Sequence, residues 1–298
     1  MKRTDLALEA RELWREREPE SPLPEGVESR SEEVSGSTVD TLRIASETGA
    51  RALGKRQGQY VTLFPEAFLR REEGAFEEAA ALLGRQLRAL LRLPEEASVL
   101  VAGLGNEAVT PDSLGPRTLR HVLATRHLVD ALPQTFGAFR RVAVLETGVL
   151  GNTGMESAEL VKAVAEKLRP DALIVIDALA SRRLGRICRT VQLTDTGIVP
   201  GSGVGNRREE LSRETLGFPV VALGVPTVVD AGTLAADLTE LAGMGQARAE
   251  DFGQYGREMI VTPREIDEKL AEIARLLGYG IDLALHEISA ADVTALIG

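Results

Sequence analysis

VLVAGLGNEAVTPDSLGP, residues Val99 to Pro116, decides the fold of this 298-residue chain. Four small or β-branched apolar residues, Val99 to Ala102, run into Gly103-Leu104-Gly105-Asn106. A polar loop from Glu107 to Pro111 then presents Asp112, and Leu114, Leu119, Val122 and Leu123 follow at helical spacing. The pattern predicts a buried strand, a glycine turn and a helix start. In open α/β sheets ligands sit in the crevice beyond the carboxyl ends of the strands, and Asp112 falls there. A second stretch repeats the arrangement. Leu173-Ile174-Val175-Ile176 is a short continuous apolar run, as in a parallel strand covered on both faces, and it leads into Asp177-Ala178-Leu179-Ala180-Ser181-Arg182. Two strands of one sheet would each deliver an aspartate to the same edge.

Outward from these two strands, strand and helix patterns alternate. Strands are predicted at Thr41–Ala45, Gln59–Phe64, Val142–Leu145 and Val220–Gly224, and an antiparallel or edge strand at Arg189–Leu193. Helices are predicted over residues 66–92, from Asp112 to about Leu132, over Glu156–Leu168, from Asp230 to about Leu241, and over Glu265–Leu277, with a last helix beginning at Ile281–His286. The alternation predicts an α/β fold with a mostly parallel central sheet and helices on both faces. Residues 1 to about 18 read as a charged helix. Residues 19–38, rich in Pro, Ser, Glu and Gly, read as a linker or mobile loop. The expected organisation is an N-terminal extension over 1–38 ahead of a single α/β domain over 39–298.

Composition narrows the function classes. A content of 44% hydrophobic and 27% charged residues is ordinary for a globular chain with a large core. The net charge of -10 argues against a nucleic-acid partner, because phosphate binding needs clustered positive charge. The charged N-terminus has no apolar core of a signal peptide, and no run is long enough to span a bilayer, so a cytoplasmic location is expected. The single cysteine, Cys188, excludes an intrachain disulfide and reads as a buried small apolar residue in a strand.

Two aspartates held close together split into an acid and a base, because like charges at short range do not both ionise cheaply. One member takes a proton from water while the other protonates a carbonyl oxygen or a leaving nitrogen. The plainer reading is that Asp112 caps its helix and Asp177 ends its strand as a turn residue. Asp230 also follows an apolar strand and reads as a helix cap or a supporting group. Gly105-Asn106 and the Gly201-Ser202-Gly203 loop match neither a dinucleotide fingerprint nor a P-loop. Glycine for close backbone approach fits both, and the second loop is suited to line a groove for an extended peptide. His121 and His127 lie six apart, off one helical face, and His286 is isolated, so no metal and no cofactor are expected.

GLGNEAVTPDSLGP, VIDALASR, DTGIVPGSGVGNRR and GVPTVVDA together resemble the germination proteases of spore-forming bacteria, as do RTDLALEA, GKRQGQYVTL, TRHL and MIVTPREID. The resemblance covers nearly the whole chain. It implies an endopeptidase that degrades the small acid-soluble DNA-coating proteins of the spore core at germination. It also implies a tetrameric zymogen activated by loss of a short N-terminal segment, making residues 1–38 propeptide-like. The aspartates of that family's atypical pair match Asp112 and Asp177. The implied fold is the three-layer α/β/α sandwich of the hydrogenase maturation proteases, whose acids at these places engage a metal. Two alternatives therefore stand beside it: a metal-dependent maturation protease on the same fold, and a non-catalytic peptide-binding protein. Family substrates resemble Thr-Glu, Phe or Ile, then Ala-Ser-Glu, cut after the first Glu. Thr4-Asp5-Leu6-Ala7-Leu8-Glu9 has that layout, so activation cleavage is expected between Asp5 and Leu6. The chain is shorter than the family members it resembles, chiefly between Asp230 and Met259.

Overall fold

The computed structural model describes residues 4–200, 209–245, 247 and 249–297. The first third holds α1 (Ala7–Arg17), β1 (Val27–Val34), β2 (Ser37–Ile44), α2 (Glu47–Leu53), β3 (Gly58–Phe64), α3 (Glu66–Leu69) and α4 (Ala75–Leu91). The middle runs through β4 (Val99–Gly103), a 3-10 turn at Thr110–Asp112, α5 (Leu114–Leu119), α6 (Arg126–Ala131), α7 (Pro133–Phe136) and β5 (Val142–Glu146). There follow α8 (Leu150–Thr153), α9 (Ser157–Leu168), β6 (Ala172–Ala180), β7 (Val191–Thr194), α10 (Arg213–Leu216) and β8 (Val220–Asp230). The chain ends with α11 (Ala231–Leu241), α12 (Tyr255–Glu258), β9 (Ile260–Val261), α13 (Ile266–Leu285) and α14 (Ala290–Ile297). Among the described residues, no helix is long and apolar enough to cross a membrane.

The strands form one sheet in the order β1-β2-β3-β7-β8-β6-β4-β5, with β9 paired to β8. Only β8, β6, β4 and β5 run parallel. β1, β2, β3 and β7 pair antiparallel, and β7 meets β8 antiparallel as well. The sheet is therefore mixed, not mostly parallel as the strand-helix alternation suggested. The reason lies in the connections. β4, β5, β6 and β8 are joined by long segments that carry helices, as parallel crossovers require. β1 and β2 are joined by Ser35-Gly36, with φ of 50° and 67°, the left-handed pair that a two-residue hairpin turn needs.

β1 also corrects the loop reading of residues 19–38. Its sequence VESRSEEV shows no apolar alternation because the strand lies at the sheet edge and is mostly exposed, where charge protects against further pairing. The helix expected over 66–92 is two helices, α3 and α4. The helix after Asp112 stops at Leu119 and resumes at Arg126; between them Thr125 Oγ1 accepts the Val142 N–H at 3.1 Å and draws the chain toward β5. The helix from Glu265 does not stop at Leu277. It continues to Leu285, and the last helix is α14. Gly278 and Gly280 are contact points within it: a β-carbon would lie 2.4 Å from His121 Cβ at the first and 2.4 Å from Leu83 Cδ2 at the second. β7 is interior, between β3 and β8, and Cys188 lies before it in a turn with φ of 52°. Burial pushes the Cys188 thiol up to about 11. β8 runs past Gly224 to Asp230. Pro226 is tolerated within it because β7 stops pairing at Gly224, so no ladder bond is needed there.

Strand alternation sends side chains to opposite faces. Val101, Ile174, Ile176, Val221 and Leu223 point to one face, into the cluster that includes side chains of α4, α5 and α13. Leu100, Ala102, Leu173 and Val175 point to the other, where α9 packs with Val161 and Ala165. α1 closes that second face over β2 and β3, its Ala7 and Trp14 packing with Leu42, Ile44 and Tyr60. Among the described residues, the face between α1 and α9 stays open above β7, β8 and β6. By the same alternation Gln192, Gly224 and Asp177 face this opening; they stand in one row, Gln192 opposite Gly224 and Gly224 opposite Asp177.

Candidate active site

The opening is a cleft of about 810 Å³, and Gly105, Asp112, Asp177 and Asp230 all line it. The turn after β4 shapes one wall. Leu104 N–H donates to Ile176 O at 2.8 Å, which ties the turn to β6 one residue before Asp177. Gly105 has φ of 109°, and a β-carbon there would lie 2.0 Å from the Asp112 carbonyl oxygen. That contact lets the Asn106 N–H reach Asp112 twice, its carbonyl at 3.1 Å and its Oδ2 at 2.8 Å. Asn106 Oδ1 accepts from Ala108 N–H at 3.0 Å and stiffens the loop. Asp112 is thus held by the turn before it. It is not the cap of the following helix: Ser113 occupies that position, without a side-chain cap bond.

Asp177 lies inside β6 and not at its end, 9% exposed, with Oδ1 accepting the N–H of Ala178 at 2.9 Å. Opposite it Gly224 leaves room for Leu179, whose Cγ would lie 2.6 Å from a β-carbon at 224. Asp230 precedes α11 at the cap position, without a side-chain cap bond. Gly201 and Gly203 lie outside the described residues. The three histidines are not gathered at the cleft, and among the described residues no three His, Cys, Asp or Glu side chains form a metal-holding group.

The N-terminal segment enters the same cleft. Asp5 N–H donates to Ala180 O at 2.9 Å, and Ala180 N–H donates back to Asp5 Oδ2 at 2.7 Å. Lys55 Nζ donates to the carbonyls of Asp5 and Thr4, at 2.9 and 3.2 Å. Gln192 Nε2 donates to the Asp5 carbonyl at 3.3 Å, and its Oε1 accepts the Ala7 N–H at 2.7 Å. Leu6 and Ala7 are fully buried. Glu9, also fully buried, anchors the segment by accepting from the amides of Arg182 and Arg183 at 2.6 and 3.0 Å, from Ser181 Oγ at 3.0 Å and from Thr4 Oγ1. Arg186 Nη1 lies 2.9 Å from the same carboxylate. Burial pushes the Glu9 carboxyl pKa up, but the hydrogen bonds and the Arg186 charge outweigh it and hold it below its ordinary value. Burial lowers the Lys55 ammonium, and Asp5 and Glu9 oppose that shift without cancelling it.

Lys55, Gln192 and the Ala180 amide were not singled out by the sequence reading. Lys55 follows Gly54 in what reads as a surface turn, and Gln192 looks like one polar residue in a short strand. Nothing in local patterning brings either to Asp5, from which they are separated by 50 and 187 positions.

A model of the germination protease family matches residues 7–251. The chain is 43% identical to a germination protease of Caldanaerobacter subterraneus subsp. tengcongensis, with 95% of this chain and 94% of the relative covered. It is 38% identical to one of Clostridium perfringens, with 95% of each covered. It is 36% identical to one of Geobacillus sp. (strain WCH70), with 96% of this chain and 94% of the relative covered. That last alignment spans 350 positions, more than the 298 residues of this chain, so the relative carries segments that are missing here. The chain belongs to the germination protease family and is a peptidase.

Proposed function

We propose that the chain is an endopeptidase of the spore core that degrades small acid-soluble spore proteins at germination, with Asp112 and Asp177 as its acid-base pair. The observation that carries this reading is that both aspartates line one cleft with the segment around the Asp5–Leu6 bond. In the proposed mechanism the pair shares one proton, and any apparent pKa belongs to the pair. The ionised member takes a proton from water, the water adds to the peptide carbonyl carbon, and the neutral member protonates the leaving nitrogen. Gly105 and Asn106 hold Asp112 in place, and Asp230 is a supporting group at the rim. The glycine-rich sequence around Gly201 and Gly203 is suited to border an extended peptide. The chain's own Asp5–Leu6 bond is the activating cut, and the assembly is a homotetramer, as the family resemblance implies.

Incubating the purified chain with a small acid-soluble spore protein and weighing the fragments by mass spectrometry tests the reading. Fragments that end in an acidic residue, formed equally with and without a chelator, are expected. An intact substrate after long incubation sinks it. Loss of cleavage in chelator, restored by one added metal, supports the metal-dependent alternative.

A further inference from the structure

We propose that Lys55 and Gln192 are the paired donors that hold the carbonyl oxygen of the bond to be cut, and that Lys55 with the Ala180 amide selects an acidic residue just before that bond. This rests on the reading of Asp112 and Asp177 as the acid-base pair. Three observations carry it.

First, two side-chain donors from distant parts of the chain converge on a single carbonyl oxygen, that of Asp5, Lys55 Nζ at 2.9 Å and Gln192 Nε2 at 3.3 Å. Two donors aimed at one carbonyl oxygen are placed to stabilise the oxyanion of a tetrahedral intermediate in hydrolysis. Second, the orientation of Gln192 is set by its surroundings. Its Oε1 receives the Ala7 N–H at 2.7 Å; turned over, the amide would set N–H against N–H, so Nε2 is held toward Asp5. Third, the Asp5 side chain is itself recognised. Ala180 N–H donates to its Oδ2 at 2.7 Å, and the Asp5 charge acts on the Lys55 ammonium. A peptide that lies along β6 and offers a carboxylate at this place takes both interactions, whereas a cation there faces Lys55.

The chemistry follows with water as the only co-reactant. Water adds to the Asp5 carbonyl carbon, and the carbonyl electron pair moves to an oxygen that faces Lys55 and Gln192. Collapse reforms the carbonyl and breaks the bond to the Leu6 nitrogen, which takes a proton from the neutral carboxyl of the pair. The products are the Asp5 carboxyl and the Leu6 amine. Once residues up to Asp5 leave, the same two donors are available to a separate peptide with an acid before the scissile bond.

The competing role for both residues is to strap the N-terminal segment down. The two roles predict opposite signs, so the full-length chain distinguishes them. Its own cleavage at Asp5–Leu6 is followed by mass spectrometry, and kcat and KM are measured on a synthetic peptide copying residues 1–14. Lys55→Met is expected to slow both reactions, with kcat down by about 10²- to 10³-fold, the loss typical of one such donor, and KM changed far less. Lys55→Arg, which keeps a cation, is expected to restore part of kcat. Gln192→Glu keeps the acceptor for Ala7 but loses the donor, and is expected to lose kcat in the same way. Thermal unfolding verifies that each variant is folded; if Lys55→Met fails to fold, Lys55→Arg and Gln192→Glu decide. Peptide cleavage as fast as wild type or faster in the folded variants would assign both residues to a strap and overturn the proposal while leaving the protease reading intact. A wild-type chain that cleaves neither bond overturns both.

Discussion

Gly105 and Asp112 are in backbone contact: a β-carbon on Gly105 would lie 2.0 Å from the Asp112 carbonyl oxygen. With φ of 109° at Gly105, the position is closed to other residues on both steric and torsional grounds. Gly105→Ala is expected to displace the Asp112 turn, lower stability by about 1–3 kcal/mol and reduce peptide cleavage at least tenfold. Thermal unfolding and peptide kinetics measure the two effects. An alanine variant with unchanged kcat would mean that the Asp112 carboxylate does not depend on this turn.

Asp112→Asn and Asp177→Asn each remove a carboxylate and almost no volume. Each is expected to leave the fold intact by circular dichroism and to lower cleavage by about 10²- to 10⁴-fold, the usual contribution of a positioned acid or base. The double variant should be little worse than either single one, because residues that act as a unit are not additive. Full activity in a folded Asp177→Asn chain would remove it from the mechanism.

Processing should be local. N-terminal sequencing of the active chain is expected to begin at Leu6. A second segment with similar downstream residues, Arg43-Ile44-Ala45-Ser46-Glu47, should stay uncut in the native chain. Arg43 and Ile44 lie in β2, paired to β1 on one side and β3 on the other, and Ile44 is 1% exposed. Arg43 also sets a cation where the acid belongs. Denatured Arg43→Glu chain given to active enzyme should be cut there. Native cleavage after Arg43 would show that the substrate rule does not transfer.

Away from the cleft, two buried titratable groups lie one turn apart, Asp282 in α13 and His286 at its C-terminal cap. Burial pushes Asp282 up to about 8, opposed by the Leu123 N–H on its Oδ1, and lowers His286 to about 4, with Arg140 adding to the shift. From about pH 4 to 6.5 the unfolded state gains a proton on the histidine and loses one from the aspartate relative to the fold, so the two effects oppose each other. Above pH 6.5 the Asp282 effect dominates: the fold keeps its proton, the unfolded chain does not, and stability falls with rising pH. The expected slope between pH 6.5 and 8 stays below the one-proton limit of about 1.4 kcal/mol per pH unit and is steepest near the middle of the range, because the unfolded histidine still titrates at the lower end and Asp282 itself at the upper. Urea unfolding across this range should show it, and Asp282→Asn should flatten it. A slope unchanged in that variant would assign the pH dependence to other groups.

The two buried strands were legible in the sequence because a parallel strand covered on both faces must be apolar throughout, and Val99–Ala102 and Leu173–Ile176 show this without any knowledge of their neighbours. The glycine turn at Gly103–Asn106 was legible for a similar reason: only glycine accepts that approach to Asp112. What depends on position in the sheet was not. β1 is a strand because β2 offers it an edge, and its charged sequence carries no local sign of that pairing. The direction of β7 and its interior place were set by β3 and β8 on either side. The cleft itself depends on the pleat, which turns Asp177, Gly224 and Gln192 toward one face, and on α1, which brings Asp5 to Lys55 and Ala180. Residues so far apart along the chain meet only when the sheet is assembled. The sequence therefore determined the two buried strands and the aspartates that follow them; tertiary packing alone decided that these aspartates line one cleft with Asp5 and which donors surround the Asp5 carbonyl.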